Sequence, residues 1–267
     1  MMIKGGIRIG GLGISGYDAD AAAYFERAGV TDSTAKGQIN AFVKGVKDLG
    51  LYNNMVSWLL RSAQNASSVA IPDTAYSLGG LGTFNGTLTN GPTWGTDGIS
   101  FTSTSSQSIF TDLGTTISNS NFGLFCCADF SELTTSGVVC ANRDIFGGSA
   151  AKGMAIGATS STNTRLQLGN GTTNFAQNRT KPSAFACYSQ LSNGTNTIQN
   201  ENTTTLASNA PTISGTFGQN LQIGAQITNQ HFFQGKISFV MAIFGVADNS
   251  SIYTLYKNTI GTGLGLS

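Results

Sequence analysis

The sequence predicts a mainly β protein, an antiparallel β-sandwich preceded by a small α-helical region. Three observations carry that expectation. Short apolar runs of period two recur from about Ala70 onward, the pattern of half-buried strands. Four Asn-Gly pairs punctuate them: Asn85-Gly86, Asn90-Gly91, Asn170-Gly171 and Asn193-Gly194. Asn-Gly is the preferred dipeptide of a tight hairpin turn. Ser, Thr and Asn number 82 of 267 residues, whereas charged residues make up 10%. That surface chemistry suits short strands joined by many turns.

In chain order, residues 1–16 read as an extended Gly-rich arm. Its Ile7, Ile9, Leu12 and Ile14 alternate with glycine, so it has no core of its own and would lie on a neighbour. Asp18-Ala-Asp20 then opens a helix through Tyr24 and Phe25, and Gly29 closes it; Asp is a good N-cap and Gly a good terminator. Thr31-Asp32-Ser33 opens a second helix, with Ile39, Phe42, Val43, Val46 and Leu49 as a stripe ending at Gly50. Met55, Val56, Leu59 and Leu60, alongside Trp58 and Arg61, suggest a short third helix. Three striped helices without a large core must pack on the rest of the chain or on another subunit. Residues 17–69 are therefore expected as a docking region, with Tyr24, Phe25, Phe42 and Trp58 among its assembly contacts.

Residues 70–258 form the expected sandwich. Phe122 to Phe130 is apolar on both faces, as a central strand should be. Leu166 and Leu168, and Leu221 and Ile223, show the strand period. Ile237, Phe239, Met241 and Ile243 read as one face of a strand. Asp248 can cap a short helix carrying Ile252, Leu255 and Tyr256. Residues 259–267 repeat the Gly-aliphatic alternation as a second arm.

Composition and motifs exclude several classes. Fourteen basic and 13 acidic residues give +1, with no Lys/Arg cluster, which argues against nucleic-acid binding. No run of about 18 apolar residues is present, so no membrane insertion is expected. Met1 to Ile14 lacks a continuous apolar segment, so folding in a reducing cytoplasm is expected. Cys126, Cys127, Cys140 and Cys187 read as small buried hydrophobes. Gly11-Leu-Gly13-Ile-Ser-Gly16 matches a dinucleotide-binding spacing, but the capping Asp18 follows the third glycine instead of opening a helix inside the motif. His231 is the single histidine and has no nucleophile elbow to serve. Glycoside hydrolysis needs two flanking carboxylates; Asp129 and Glu132 are the nearest approach. Asp97, Asp112 and Asp144 lack the spacing of a calcium loop. No catalytic residue, cofactor or metal is expected, and the chain is read as not an enzyme. Trp94 and Tyr188 could stack on sugar rings or fill the core; with Asn193 and His231 near turns they form the candidate carbohydrate-binding set.

Two resemblances add to this reading. Gly98-Ile-Ser-Phe-Thr-Ser103, Asn121 to Phe130, Ala184-Phe-Ala-Cys-Tyr188 with Asn193-Gly194, Leu221-Gln-Ile-Gly224, Phe233 to Phe239 and Ala247 to Tyr256 follow the order of motifs in laminin G-like, concanavalin A-like jelly rolls. The run from Asp18 to Met55 resembles a helical segment of tailed-bacteriophage virion proteins that often precedes such a sandwich. The resemblance implies a non-enzymatic virion component: a decoration, fibre or tail appendage. It would dock on other virion proteins through its N-terminal region and contact host-surface polysaccharide through its sandwich. Repetition in a particle implies a homo-oligomer, with a trimer expected. The alternative is a carbohydrate-binding module or adhesin, followed by a glycan hydrolase. Removal of residues 1–64 is expected to leave a soluble sandwich.

Overall fold

The computed structural model describes residues 16–65, 73–114, 116–117, 121–142, 152–169, 171–211, 215–216, 220–226 and 230–267. Ile7, Ile9, Leu12 and Ile14 lie outside them. Among the described residues, two antiparallel sheets face each other. The first has nine strands. Its main order is Thr204–Pro211, Asn196–Glu201, Phe185–Ser192, Phe122–Asp129, Gly235–Phe244, Met55–Leu59 and Ser77–Leu78. Thr93–Trp94 and Ile99–Phe101 extend it beside the start of Gly235–Phe244. The second sheet has eight strands, in the order Asn174–Thr180, Asn163–Gly169, Gly153–Ala158, Gly137–Ala141, Gln222–Ile223, Ser108–Thr111, Gly86–Thr89 and Thr74–Ala75.

Three helices lie on the first sheet: α1 (Ala19–Arg27), α2 (Ser33–Asp48) and α3 (Asn249–Asn258). Each starts at the expected aspartate. Asp18 accepts from Asp20 N, Asp32 from Ala35 N and Asp248 from Ser251 N, at 2.7–3.0 Å. These bonds satisfy backbone donors left open at a helix start. Gly29 and Gly50 follow the first two helices with φ of +62° and +70°, a conformation that costs other residues more.

The molecule has two apolar layers. Between the sheets, Val56, Trp58, Phe122, Leu124, Cys126, Phe130, Ile156, Leu166, Tyr188 and Val240 are buried together. Between the first sheet and the helices, Tyr24, Ile39, Phe42 and Val46 meet Phe125, Cys127, Phe239, Met241, Ile243 and Tyr256. Phe239 stacks on Tyr256 at 4.8 Å and meets Phe42 edge-on at 5.7 Å. Phe122–Asp129 is apolar on both faces because each face belongs to a different layer.

The structure corrects four expectations. Met55–Leu59 is a strand, not a helix. It pairs with Gly235–Phe244 on one side and Ser77–Leu78 on the other. Its apolar spacing fits either a helix or a strand covered on both faces, and the covering helices decide between them. Trp58 is fully buried between the sheets and donates from Nε1 to Phe84 O at 2.8 Å. Second, Tyr24, Phe25 and Phe42 are also buried within the chain, so with Trp58 they form no outward docking face.

Third, Ile237 does not share a face with Phe239, Met241 and Ile243. A register shift lies between Ile237 and Phe239, and such a bulge reverses side-chain alternation. Ile237 joins the inter-sheet core, while the other three face the helices. Fourth, the C-terminal segment lies on its own chain. Ile260 and Leu264 are buried. Arg61 Nη1 donates to the Ile260 and Thr262 carbonyls at 3.0 and 2.9 Å, and Gln64 Nε2 donates to Ile260 O at 2.7 Å.

Candidate functional site

A cleft opens where the strand Phe185–Ser192 ends. The Asn193-Gly194 turn returns this strand to Asn196–Glu201. Asn193 Oδ1 fixes the turn by accepting from Thr195 N at 3.0 Å and Asn196 N at 2.8 Å. Asn202, at φ +49°, makes the next turn into Thr204–Pro211. The start of α3 is stitched to these strands. Ala247 N donates to Ser192 O at 2.9 Å. Asn249 accepts from Ser189 Oγ and donates from Nδ2 to Asn202 O at 2.9 Å. Asn249 therefore holds the walls together.

The cleft measures about 270 Å³. Leu191, Ile198 and Val246 give it an apolar patch; Asn193, Asn200, Thr203, Thr205, Asp248 and Ser250 give it amides, hydroxyls and a carboxylate. Val246 stands 54% exposed. Asn200 is 4% exposed. Its Nδ2 donates to Thr205 Oγ1 at 3.1 Å, while its Oδ1 is buried without a hydrogen-bond partner. Rotating the amide leaves the NH₂ unpaired instead, because the Thr205 hydroxyl satisfies one end only. A buried polar atom left unpaired costs free energy, which a ligand can return where a turn of the Asn200 side chain brings that atom to the cleft surface.

Asp248 borders the same cleft. Hydrogen bonds from Ser250 Oγ, from Ser251 N and from Ser251 Oγ, all to Oδ2, hold its carboxyl below the usual range against the opposing effect of desolvation. It is thus an anion at neutral pH. Among the residues lining the cleft it is the one carboxylate, so a paired acid and base are not assembled there. An apolar patch beside converging amides and hydroxyls can hold a polyol: C–H groups meet the patch and hydroxyls meet the polar atoms.

Of the four residues expected to bind sugar, only Asn193 borders this cleft. Tyr188 is fully buried, edge-on to Phe130 at 5.5 Å, with its hydroxyl 3.4 Å from Glu201 Oε1. Burial pushes its phenol pKa upward. Its ring is core and cannot stack on a ligand. Trp94 is half-buried against the core, with Nε1 buried and unpartnered. It pairs with Ile99, which pairs with Ile237; Asn193 follows the opposite end of the sheet, near Phe122 and Phe244. His231 adopts φ +51°, places Nδ1 2.9 Å from Ser136 Oγ and accepts from Val138 N through its carbonyl at 2.8 Å. It shapes a turn.

Asn200, Thr203, Thr205 and Asp248 were not singled out by the sequence as ligand contacts. Their one visible signal was the helix cap at Asp248. Asp129 Oδ1 accepts from Ser131 N at 2.8 Å, a turn-capping role. Two other depressions carry less converging chemistry. An edge cleft of about 490 Å³ holds Arg179 and Glu201, whose Nε and Oε2 lie 3.6 Å apart. A groove of about 540 Å³ between α2 and α3 is lined by Gly45, Leu49 and Leu255. Among the described residues no group of three His, Cys, Asp or Glu side chains could hold a metal ion, and no helix is long and apolar enough to cross a membrane.

No family model matches the chain, and no curated protein matches it. Solved structures show the fold elsewhere. The chain is similar to a Trypanosoma rangeli sialidase, with a TM-score of 0.55 and 12% identity over 84% of this chain and 39% of that one. It is similar to a tryptophan-to-alanine mutant of HCR/D, with a TM-score of 0.52 and 8% identity over 78% of this chain and 53% of that one. A shorter match is the carbohydrate-binding module CBM40 of a Ruminococcus gnavus IT-sialidase bound to α2,3-sialyllactose, with a TM-score of 0.40 and 12% identity over 51% of this chain and 82% of that one. This chain spans well under two thirds of the sialidase and of HCR/D. What the first two likenesses share with it is the fold, the antiparallel β-sandwich expected from the sequence.

Proposed function

We propose that this chain is a non-enzymatic glycan-binding β-sandwich whose ligand sits in the cleft between the Asn193-Gly194 turn, the Asn202 turn and the start of α3. The carrying observation is the unpaired amide of Asn200 beside Leu191, Ile198 and Val246. A sugar supplies both complements at once, hydroxyls for the amide and a C–H face for the aliphatic patch. The test is a glycan array followed by calorimetry on the full chain. A neutral oligosaccharide should bind, and Asn200→Ala should weaken it at least about tenfold, roughly 1.4 kcal/mol, with an unchanged melting curve. Binding that survives Asn200→Ala and Thr205→Ala moves the site elsewhere; an empty array ends the reading. No turnover of bound glycan is expected, and products in a hydrolysis assay would overturn the non-enzymatic assignment.

The setting we propose is a bacteriophage virion, supported by the run from Asp18 to Met55 that resembles a virion helical segment. In that setting the sandwich faces host-surface polysaccharide and the chain is a homo-oligomer, a trimer by expectation. Because the apolar side chains of α1 and α2 are spent on the chain's own sheet, we assign docking on other virion proteins to Ile7, Ile9, Leu12 and Ile14. Deleting residues 1–15 should abolish incorporation into particles while preserving the circular dichroism spectrum. Undiminished incorporation sinks the docking assignment. Light scattering that shows a monomer at particle-like concentrations counts against the oligomer.

A further inference from the structure

Cys127 and Cys187 face each other on adjacent antiparallel strands. The main-chain groups of Cys187 both point away from that partner. Its N–H donates to Asn202 Oδ1 at 2.9 Å, and its carbonyl accepts from Asn202 N at 2.7 Å. In an antiparallel ladder both groups of a residue point to the same side, so Cys127 and Cys187 form a non-hydrogen-bonded pair. Such pairs bring Cα atoms to about 4.5 Å with their side chains closest, inside the roughly 4.4–6.8 Å span that a disulfide bridges. Both thiols point into the layer beneath α3, beside Tyr253 and Tyr256. Both are free.

We propose that Cys127 and Cys187 are the site of a latent cross-strand disulfide, closed by a small disulfide oxidant once the protein leaves a reducing compartment. In the first step the Cys187 thiolate attacks one sulfur of oxidised glutathione and displaces one glutathione thiolate. In the second, Cys127 loses its proton and attacks Cys187 Sγ, displacing the second glutathione thiolate. Two protein thiols give up two electrons, the oxidant takes them, and the two protons end on two glutathione thiols. Cys126 joins the inter-sheet core with Cys140, so it points to the opposite face of the strand and cannot compete for Cys187.

The placement gives the bond a consequence for the cleft. Cys187 holds both polar groups of the Asn202 turn, and Asn202 O holds Asn249 at the start of α3. A bridge at Cys187 would stiffen the strand from which both walls hang. Both thiols are at most 1% exposed, so the oxidant enters when α3 lifts. This is a covalent site independent of whether the cleft takes a sugar.

The test uses the full chain incubated with oxidised glutathione in urea just below its unfolding midpoint, followed by alkylation. The expected product is lighter by about 2 Da before alkylation, alkylates at two thiols instead of four, and yields a peptide linking Cys127 to Cys187. Its urea midpoint should rise, since the bridge closes a long loop of the unfolded chain. Cys187→Ala should lose the cross-link; Cys126→Ala should keep it and serves as the folding control. Four alkylatable thiols after exposure, or a bridge joining Cys126 to Cys140, would falsify the assignment.

Discussion

The two sheets share a strand geometry and differ in the fate of their outer faces. The first sheet turns Phe125, Phe239, Met241 and Ile243 outward, and three helices cover them. The second turns outward Thr87, Phe110 and Arg165, opposite the inward Leu88, Ile109 and Leu166, and on that outer face its central strands bury Gln167 and a small patch of Val138, Ala141 and Ala155. Arg165 and Gln167 bond across neighbouring strands. Arg165 Nε donates to Asn178 Oδ1 at 2.7 Å, and Gln167 Nε2 donates to Asn174 Oδ1 at 2.9 Å. The contrast teaches that the helices belong to the fold. A strand apolar on both faces requires two covers, and α1, α2 and α3 are the second cover.

The harshest way to break that contrast is to remove the cover. Deleting residues 17–50 removes α1 and α2, leaving Tyr256 of α3 on Phe125 and Phe239 but taking away Phe42 and the rest of that cover, and the chain should lose its soluble fold by gel filtration and near-ultraviolet circular dichroism. The larger deletion of residues 1–64 takes Met55–Leu59 from the middle of the sheet as well, so the soluble remnant expected from sequence should not form. A point substitution sharpens the comparison. Phe239→Ala should cost about 3–5 kcal/mol in urea unfolding, the usual penalty for truncating a buried phenyl.

Asp248→Ala removes a helix cap and should cost about 1 kcal/mol. Because hydrogen bonds depress the folded carboxyl, its contribution is present above the unfolded pKa near about 4. It is lost as pH falls through the folded value. Protection of the Ser251 amide from hydrogen exchange, relative to its intrinsic rate at each pH, should therefore fall in acid, and Asp248→Ala should flatten that profile. Smallest of all, Thr87→Ala on the second sheet's outer face should stay within about 0.5 kcal/mol. A Thr87→Ala loss equal to that of Phe239→Ala would erase the distinction between the sheets.

Much of this architecture was legible. The caps at Asp18, Asp32 and Asp248 mark helices by local chemistry alone, and Phe122 to Phe130 announces a central strand by carrying apolar groups on both faces. Of the four Asn-Gly pairs, Asn193-Gly194 links paired strands, and Asn170 lies outside the described residues. Asn90-Gly91 instead passes from Gly86–Thr89 in one sheet to Thr93–Trp94 in the other, a distinction set by long-range pairing. Met55–Leu59 was misread because five residues hold too little periodicity to separate helix from doubly covered strand. The bulge near Ser238 leaves no compositional mark. The cleft was harder still. Asn200, Thr205 and Asp248 come from separate elements, and only the folded turns bring them to one rim.

The pairing of Met55–Leu59 with Gly235–Phe244 also dictates the timing of maturation. The middle of the first sheet cannot assemble until the ribosome has made its late-synthesised member. Until then Met55–Leu59 and Phe122–Asp129 each lack the strand that lies between them, and pairing over such a sequence distance favours slow acquisition of structure.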